Sequence, residues 1–378
     1  MIFSTTKKIK KSSTALCASI FIIFIGCFQE RKEKNTANQL KSQTILITSV
    51  PEGIIPPKGM IWVPGKKFRQ GAVPQDSFAM HHEKPAHAVA VDGFFIDITE
   101  VTNSHFKKFV ESTGYITMAE REIDWEEIKK QLPVGTQKPA DSILHPGSLV
   151  FKKVKSQLPN LFDYSQWWEW KIGANWKNPK GPGSTIEGKD NYPVVHIAFE
   201  DAMAYCKWAN RRLPTEAEWE LASKGLLLKS IYNWGDSDDT LSEKANTWQG
   251  SFPDNNTLKD GFQGIAPVKS FPPNSIGLYD MAGNVWEWTQ DWYDPKYYSQ
   301  QKKLGLIYNP KGSKKSYNPQ NPLAKERVIK GGSFLCNKSY CTSYRNSARM
   351  ASSYDSSTEH IGFRTVVSVD MLQSQTKN

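Results

Sequence analysis

The run Met60-Ile61-Trp62-Val63 is apolar and closes on Pro64-Gly65, the pattern of a short strand entering a turn. From Pro85 to Val101 apolar and aromatic residues alternate around Asp92-Gly93, which reads as further β-structure. The period changes at Thr102. Phe106, Phe109 and Val110 share one helical face, and Gly114 is a stop signal. A second helix is expected from about Glu200 to Arg211, with Ala202, Tyr205, Cys206 and Ala209 on its inner face. On that face Cys206 reads as an ordinary buried thiol. A third helix starts at Thr215, whose spacing to Glu218 fits a capping box. Residues 116–190 show no clear period yet hold Trp125, Trp167, Trp168, Trp170 and Trp176. A connection that long is either functional or disordered, and so many aromatics argue against disorder.

The chain has 378 residues, room for one large domain or two ordinary ones. With 25 Gly, 22 Pro and 13 Trp, the composition points to a loop-rich globular fold rather than a helical bundle. The formal net charge of +10 includes Lys7, Lys8, Lys10 and Lys11 of an N-terminal leader. No compact basic block with interleaved aromatics remains beyond them, so nucleic acid is not an expected partner. Residues 1–27 read as a secretory signal: a basic start, an apolar run from Ala15 to Ile25 too short to span a bilayer, then Gly26-Cys27. This ending favours a bacterial lipoprotein signal with Cys27 as the lipidated residue, over a plain signal peptide or an uncleaved anchor. Residues 28–58 are a polar tether, 59–368 the globular domain and 369–378 a tail. The expected location is the periplasm or cell envelope, with a lipid anchor in a membrane.

Five cysteines are present, at 17, 27, 206, 336 and 341. Two in the leader leave too few for a disulfide scaffold. Cys336 and Cys341 follow Gly331-Gly332 at a spacing that fits neither a CxxC redox motif nor a zinc ribbon. Two readings stay open on this spacing: a local disulfide, or two thiolates that suit a soft cation such as Cu(I). Short oxygen donors beside turn residues recur at Asn246-Thr247, at Asp260-Gly261-Phe262 and from Asp280 through Gly283 and Val285 to Glu287. Such loops suit calcium or are simply solvated turns. The histidines are scattered, and His196 after Pro193-Val194-Val195 reads as a satisfied core residue. No P-loop, dinucleotide fingerprint, nucleophile elbow or internal repeat is visible.

The cysteine pair sits in a longer frame. Arg327-Val328-Ile329-Lys330-Gly331-Gly332-Ser333-Phe334 leads in, Tyr344-Arg345 and Ala348-Arg349 follow, and Gly362-Phe363-Arg364 closes the segment. Together with Arg212-Leu213-Pro214-Thr215-Glu216-Ala217-Glu218-Trp219-Glu220, this resembles the formylglycine-generating enzymes, the sulfatase-modifying factors. The resemblance implies a single loop-rich α+β domain, a C-type-lectin-like variant with little regular secondary structure. It implies oxidation by O2 of a cysteine in a C-x-P-x-R-type sulfatase segment to Cα-formylglycine. Cys336 and Cys341 would then be Cu(I) ligands, Ser333 would line the oxygen side, and Tyr340 and Trp286 would shape the pocket. Asn337 stands where animal members carry His.

The same resemblance assigns one structural Ca2+ to Asn246, Thr247, Asp260 and Phe262, and a second to Asp280, Gly283, Val285 and Glu287. Trp167 or Trp168 would pack on the substrate proline, and Asp124 would pair with its arginine. Animal members staple the fold with cysteines. One matches Cys206, whose partner falls here at Thr365; another pair falls at Ser223 and Asn346. The domain is therefore expected to hold without disulfides. Two rival readings are a non-catalytic structural or motility lipoprotein on this fold, and an iron-dependent sulfoxide synthase. The paired cysteines argue against the first, and the lack of a His-rich cluster argues against the second.

Overall fold

The structure, a computed structural model, describes residues 45–375, and Leu46 onward forms one compact unit. The leader and Cys27 lie outside the described residues. No described helix is long and apolar enough to cross a membrane.

The helix Asn103–Thr113 forms where the pattern predicts. Thr102 caps it by accepting the His105 amide at 3.4 Å, and Gly114 ends it in the left-handed region at φ 66°. Its buried face carries Phe106 and Phe109, and the Phe106 ring meets Trp176 edge-on at 5.2 Å. The helix Phe199–Trp208 buries Ala202, Tyr205 and Cys206 against the same cluster. The helix Glu216–Lys224 starts with the expected capping box: Thr215 accepts the Glu218 amide at 3.2 Å, and Glu218 accepts the Thr215 amide at 2.8 Å.

All nine residues of that third helix are buried, charged ones included. Buried charges persist only when paired. Glu216 accordingly takes Arg349 through both oxygens at 2.7 and 2.9 Å, Glu218 takes Arg212 at 2.7 Å, and Glu220 meets Lys224 at 2.7 Å.

The largest sheet has four strands in the order Met350–Ser353, Glu326–Lys330, Trp286–Trp292, Ile361–Gly362. Two further sheets have three strands each. One joins Met60–Val63, Phe94–Asp97 and Val366–Ser368; the other joins Ile307–Tyr308, His87–Val91 and Lys66–Gln70. The region without a clear sequence period folds largely as short helical turns and a hairpin of Gly147–Phe151 with Trp168–Ile172. Its aromatics pin it to the domain. Trp167 is fully buried with Trp248, Phe252, Phe334 and Leu335.

Two expected boundaries shift. The backbone of Ile47 accepts the amides of Gly65 and Gly93 at 3.1 and 2.7 Å, so the domain begins ahead of Gly59, within the supposed tether. Residues Val369–Gln375, expected as a tail, form a helix whose Met371 and Leu372 pack against Met60, Phe95 and Val367. Both corrections have one cause. Isolated apolar residues in polar sequence declare themselves only when a partner surface exists.

Candidate active site

The strand Glu326–Lys330 delivers the chain to Gly331 and Gly332, at φ 91° and 75°. Glycine is required at 332 for a second reason. A Cβ there would stand 2.9 Å from the Tyr344 amide nitrogen and 3.2 Å from the Cys336 sulfur. The chain then makes two consecutive turns. The Cys336 amide donates to the Ser333 carbonyl at 2.9 Å, and the Cys341 amide donates to the Asn337 carbonyl at 2.7 Å. These turns set the two thiols side by side, close enough for one to donate to the other.

Both thiols are free, as is Cys206. Burial pushes the Cys336 thiol up, and its hydrogen bond to Cys341 holds that second thiol down. Cys341 is thus the sulfur that ionises first. Cys336 also accepts the Ser333 amide at 3.4 Å. Ser333 is buried, and its hydroxyl accepts the Leu335 amide at 3.3 Å. Cys336 belongs to the main apolar core together with Trp286, Trp288 and Tyr344.

Aromatic rings close the site on one side. Tyr340 stacks on Phe252 with centroids 4.7 Å apart and meets Trp167 edge-on at 5.5 Å. On the other side Tyr344 stacks with Tyr232, which stacks on Trp234. Trp168 turns away from Tyr340 and packs on His360 at 4.7 Å, while the Trp286 amide donates to the His360 carbonyl at 2.8 Å. Asp124 is an exposed helix cap, accepting the amides of Glu126 and Glu127. The structure thus joins Trp167 to the cysteine segment, while the Asp124 carboxylate is engaged in its own turn.

Asn337 has a role that spacing did not announce. Its side-chain nitrogen donates to the carbonyls of Trp248 and Gly250 at 3.0 and 2.9 Å, and its oxygen accepts the amide and hydroxyl of Ser339. It fastens the loop between the cysteines to the neighbouring segment.

The oxygen-donor loops assemble as well. The Asp260 carboxylate accepts the amides of Thr247 and Phe262 at 2.9 and 3.1 Å. Asn246 donates to Asn284 at 3.0 Å, and a Cβ on Gly283 would meet the Asn246 carbonyl oxygen at 2.2 Å, so the two loops interlock. In the second loop Glu287 is engaged by Arg364 through both oxygens at 2.7 Å and by the Trp219 indole at 2.7 Å. Val285 is fully buried. Asp280, at φ 58°, accepts the Lys269 amide and faces Glu100. Burial and the Asp280 charge push the Glu100 carboxyl well up, and burial pushes Asp280 up to about 6. One Glu100 oxygen has no partner. No sequence signal marks Glu100, because its partner lies far along the chain.

The fold and the adjacent free thiols define a single loop-rich α+β domain with a two-sulfur site. Residues 48–369 match the sulfatase-modifying factor enzyme 1-like domain. The chain belongs to that family. It is similar to the formylglycine-generating enzyme of Bos taurus, 42% identical over 322 residues, covering 84% of this chain and 76% of that protein. It is equally similar to the one from Thermomonospora curvata, 42% identical over 308 residues, covering 81% and 92%. An inactive C-alpha-formylglycine-generating enzyme 2 of Mus musculus is 35% identical, covering 81% and 84%. The solved structure of PvdO from Pseudomonas aeruginosa shares the fold, with a TM-score of 0.55 at 18% identity, covering 84% of this chain and 98% of that one.

Proposed function

We propose that this enzyme activates sulfatases by oxidising a cysteine in a C-x-P-x-R-type segment to Cα-formylglycine, with O2 as oxidant and Cu(I) held by Cys336 and Cys341. The observation that carries the reading is the pair of free thiols set together behind Gly331-Gly332. Family membership alone does not carry it, since one relative is named inactive.

The donor set fits a soft monovalent cation. Two sulfurs meet, and their other hydrogen-bond partners are Ser333 and Ser343 rather than His, Asp or Glu. That leaves coordination space for a substrate thiolate as a third soft ligand. Bound there, copper would supply the one-electron chemistry with O2. The residues of the chain do the rest. Cys336 and Cys341 hold the metal, Ser333 lines the oxygen side, and the rings of Tyr340, Trp167 and Trp286 exclude water from the reacting Cβ. In the net change the Cβ of the substrate cysteine loses two electrons, water supplies the aldehyde oxygen and the sulfur leaves as hydrogen sulfide, while O2 is reduced to water by those two electrons and two more from an external thiol reductant.

Calcium belongs to the same proposal as a structural ion. Asp260, with Asn246 and the carbonyls of Thr247 and Phe262, would hold one ion. Asp280, with Gly283, Val285 and Glu287, would hold the other, and Glu100 adds an oxygen with open capacity beside Asp280. The location is proposed as the bacterial periplasm or envelope, through a lipid on Cys27. Replacement by Ser should release the protein from the membrane fraction.

The test is direct. Purified protein, Cu(I) and air are incubated with a C-x-P-x-R peptide, and the product is read by mass spectrometry. Formylglycine is the expected product; an unchanged cysteine would return the chain to the non-catalytic lipoprotein reading.

A further inference from the structure

The cysteine segment reaches the surface along one short stretch. Residues 331–337 are buried, Cys341 is half-buried, and Lys338, Ser339 and Tyr340 are exposed. A polypeptide whose thiol reaches Cys341 therefore has to run its flanking residues across the loop 338–340. At that stretch the same loop forms one wall of an open recess of about 750 Å3. Leu158, Pro159, Leu161 and Phe252 contribute apolar lining.

Three observations define what the recess takes. Its lining residues include no carboxylate, and its one cation, Lys338, is already paired with Asp238 at 2.9 Å. A charged side chain of either sign would therefore lose hydration there without gaining a free counter-charge. The walls are rigid where they matter. Asn337 ties the loop to Gly250, and Phe252 is stacked under Tyr340. Beyond Leu161, Phe162 and Tyr164 are exposed at 91% and 66%, continuing the apolar surface along the chain.

We infer that this recess is a specificity subsite, distinct from the proline contact of Trp167 or Trp168, which receives an uncharged apolar side chain of the substrate polypeptide other than that proline, within about three residues of the target cysteine. The reach follows from the roughly 3.3–3.6 Å that each extended residue spans. The inference rests on the sulfatase-modifying reading for its substrate, and it assigns the arginine of the substrate segment to some other surface. Continuity with the reacting loop selects the occupant: nothing else need cross residues 338–340 whenever a thiol is presented to Cys341.

The test uses 13-residue peptides of the C-x-P-x-R type with the target cysteine changed to serine, titrated calorimetrically into metal-free protein. Asp is placed in turn at the three positions on either side, the proline being left unchanged. One position is expected to prefer an apolar residue, with Asp there weakening binding by roughly tenfold. Gln157→Trp, an exposed residue changed so as to fill the recess, should erase that preference without unfolding the protein. Leu161→Asp should invert it, so that Lys at the same position binds better than Leu. If both variants fold and keep the parent preference, or if the parent binds none of the peptides, the inference is overturned. The cysteine peptide with Cu(I) and air separates the two ideas. Binding governed by the recess without formylglycine would leave the subsite standing and remove the reaction.

Discussion

The Ser223 hydroxyl donates to the side-chain oxygen of Asn346 at 2.8 Å, both groups buried and 123 residues apart. These are the two positions at which the sequence resemblance implies a stapling cysteine pair in animal members of the family. Here the contact is polar and extends further. The Asn346 amide nitrogen donates to the Ser230 carbonyl at 3.2 Å, and its own carbonyl accepts Lys330 at 3.1 Å. The position of the other staple is filled the same way. Thr365 donates to Asp97 at 2.5 Å, and Asp97 also receives Arg211.

The domain should therefore be indifferent to reductant. Metal-free protein is expected to unfold at the same temperature with and without a thiol reductant, measured by calorimetry on monomeric samples. Ser223→Ala should cost about 1–3 kcal/mol, because it strips a buried acceptor of its donor. A large drop in Tm on reduction would show a disulfide that this account denies.

Cys336→Ser and Cys341→Ser should each lose tight Cu(I) binding and peptide oxidation while the fold persists. A soft two-coordinate cation cannot tolerate the loss of one of two thiolates. Ser333→Ala is expected to keep copper and turn over poorly. Copper content and formylglycine yield, read on the same folded samples, decide the matter. Full activity in either cysteine variant would end the two-thiolate mechanism.

Calcium should support the fold through the interlocked loops. Chelation is expected to lower Tm, and Glu100→Gln should weaken the rescue by added Ca2+ by removing an open carboxylate oxygen beside Asp280. The comparison is Tm against free Ca2+ for parent and variant. If Glu100→Gln simply raises Tm with no calcium dependence, Glu100 and Asp280 share a proton and hold no cation.

Acid should destabilise the domain through His196. Its ring meets the Ser148 hydroxyl at 2.7 Å and the Pro179 carbonyl at 2.9 Å, and burial lowers its pKa to about 3. Unfolded histidine titrates near 6.5. Between those values the unfolded chain binds the extra proton, so stability falls as pH falls, by about 1.4 kcal/mol per unit for this group. Asp201, raised by burial to about 6, opposes this below that pH. A difference measurement isolates the histidine. His196→Asn, chosen because the backbone there sits at φ 60°, should lose about 2–3 kcal/mol less than the parent between pH 6.5 and 4.5. Parallel denaturation curves across that range would rule the histidine out.

Local elements were legible in the sequence because their signals are local. Thr102 and Gly114 bracket a helix by short-range bonds, and the Thr215–Glu218 box needs four residues. His196 and Cys206 sat in apolar patterns and proved to be core residues, as expected. The site was legible only in part. Arg345 is fixed by Glu83 and Asp76, Glu216 by Arg349, and Glu100 faces Asp280. Each partner lies too far along the chain for spacing to reveal it. Asn337 shows the opposite limit. Its sequence position was plain, but its bonds to Trp248 and Gly250 depend on a segment that only the fold brings near.

One sulfur serves two masters. Cys336 lies in the same apolar core as Trp286, Trp288 and Tyr344. Over-oxidation to a sulfinate would drive a permanent negative charge into that oily interior. Under the proposed mechanism, chemical wear at this ligand sulfur thus becomes a structural fault. A spent molecule would loosen and be cleared, and would not linger as an intact decoy that holds substrate without converting it.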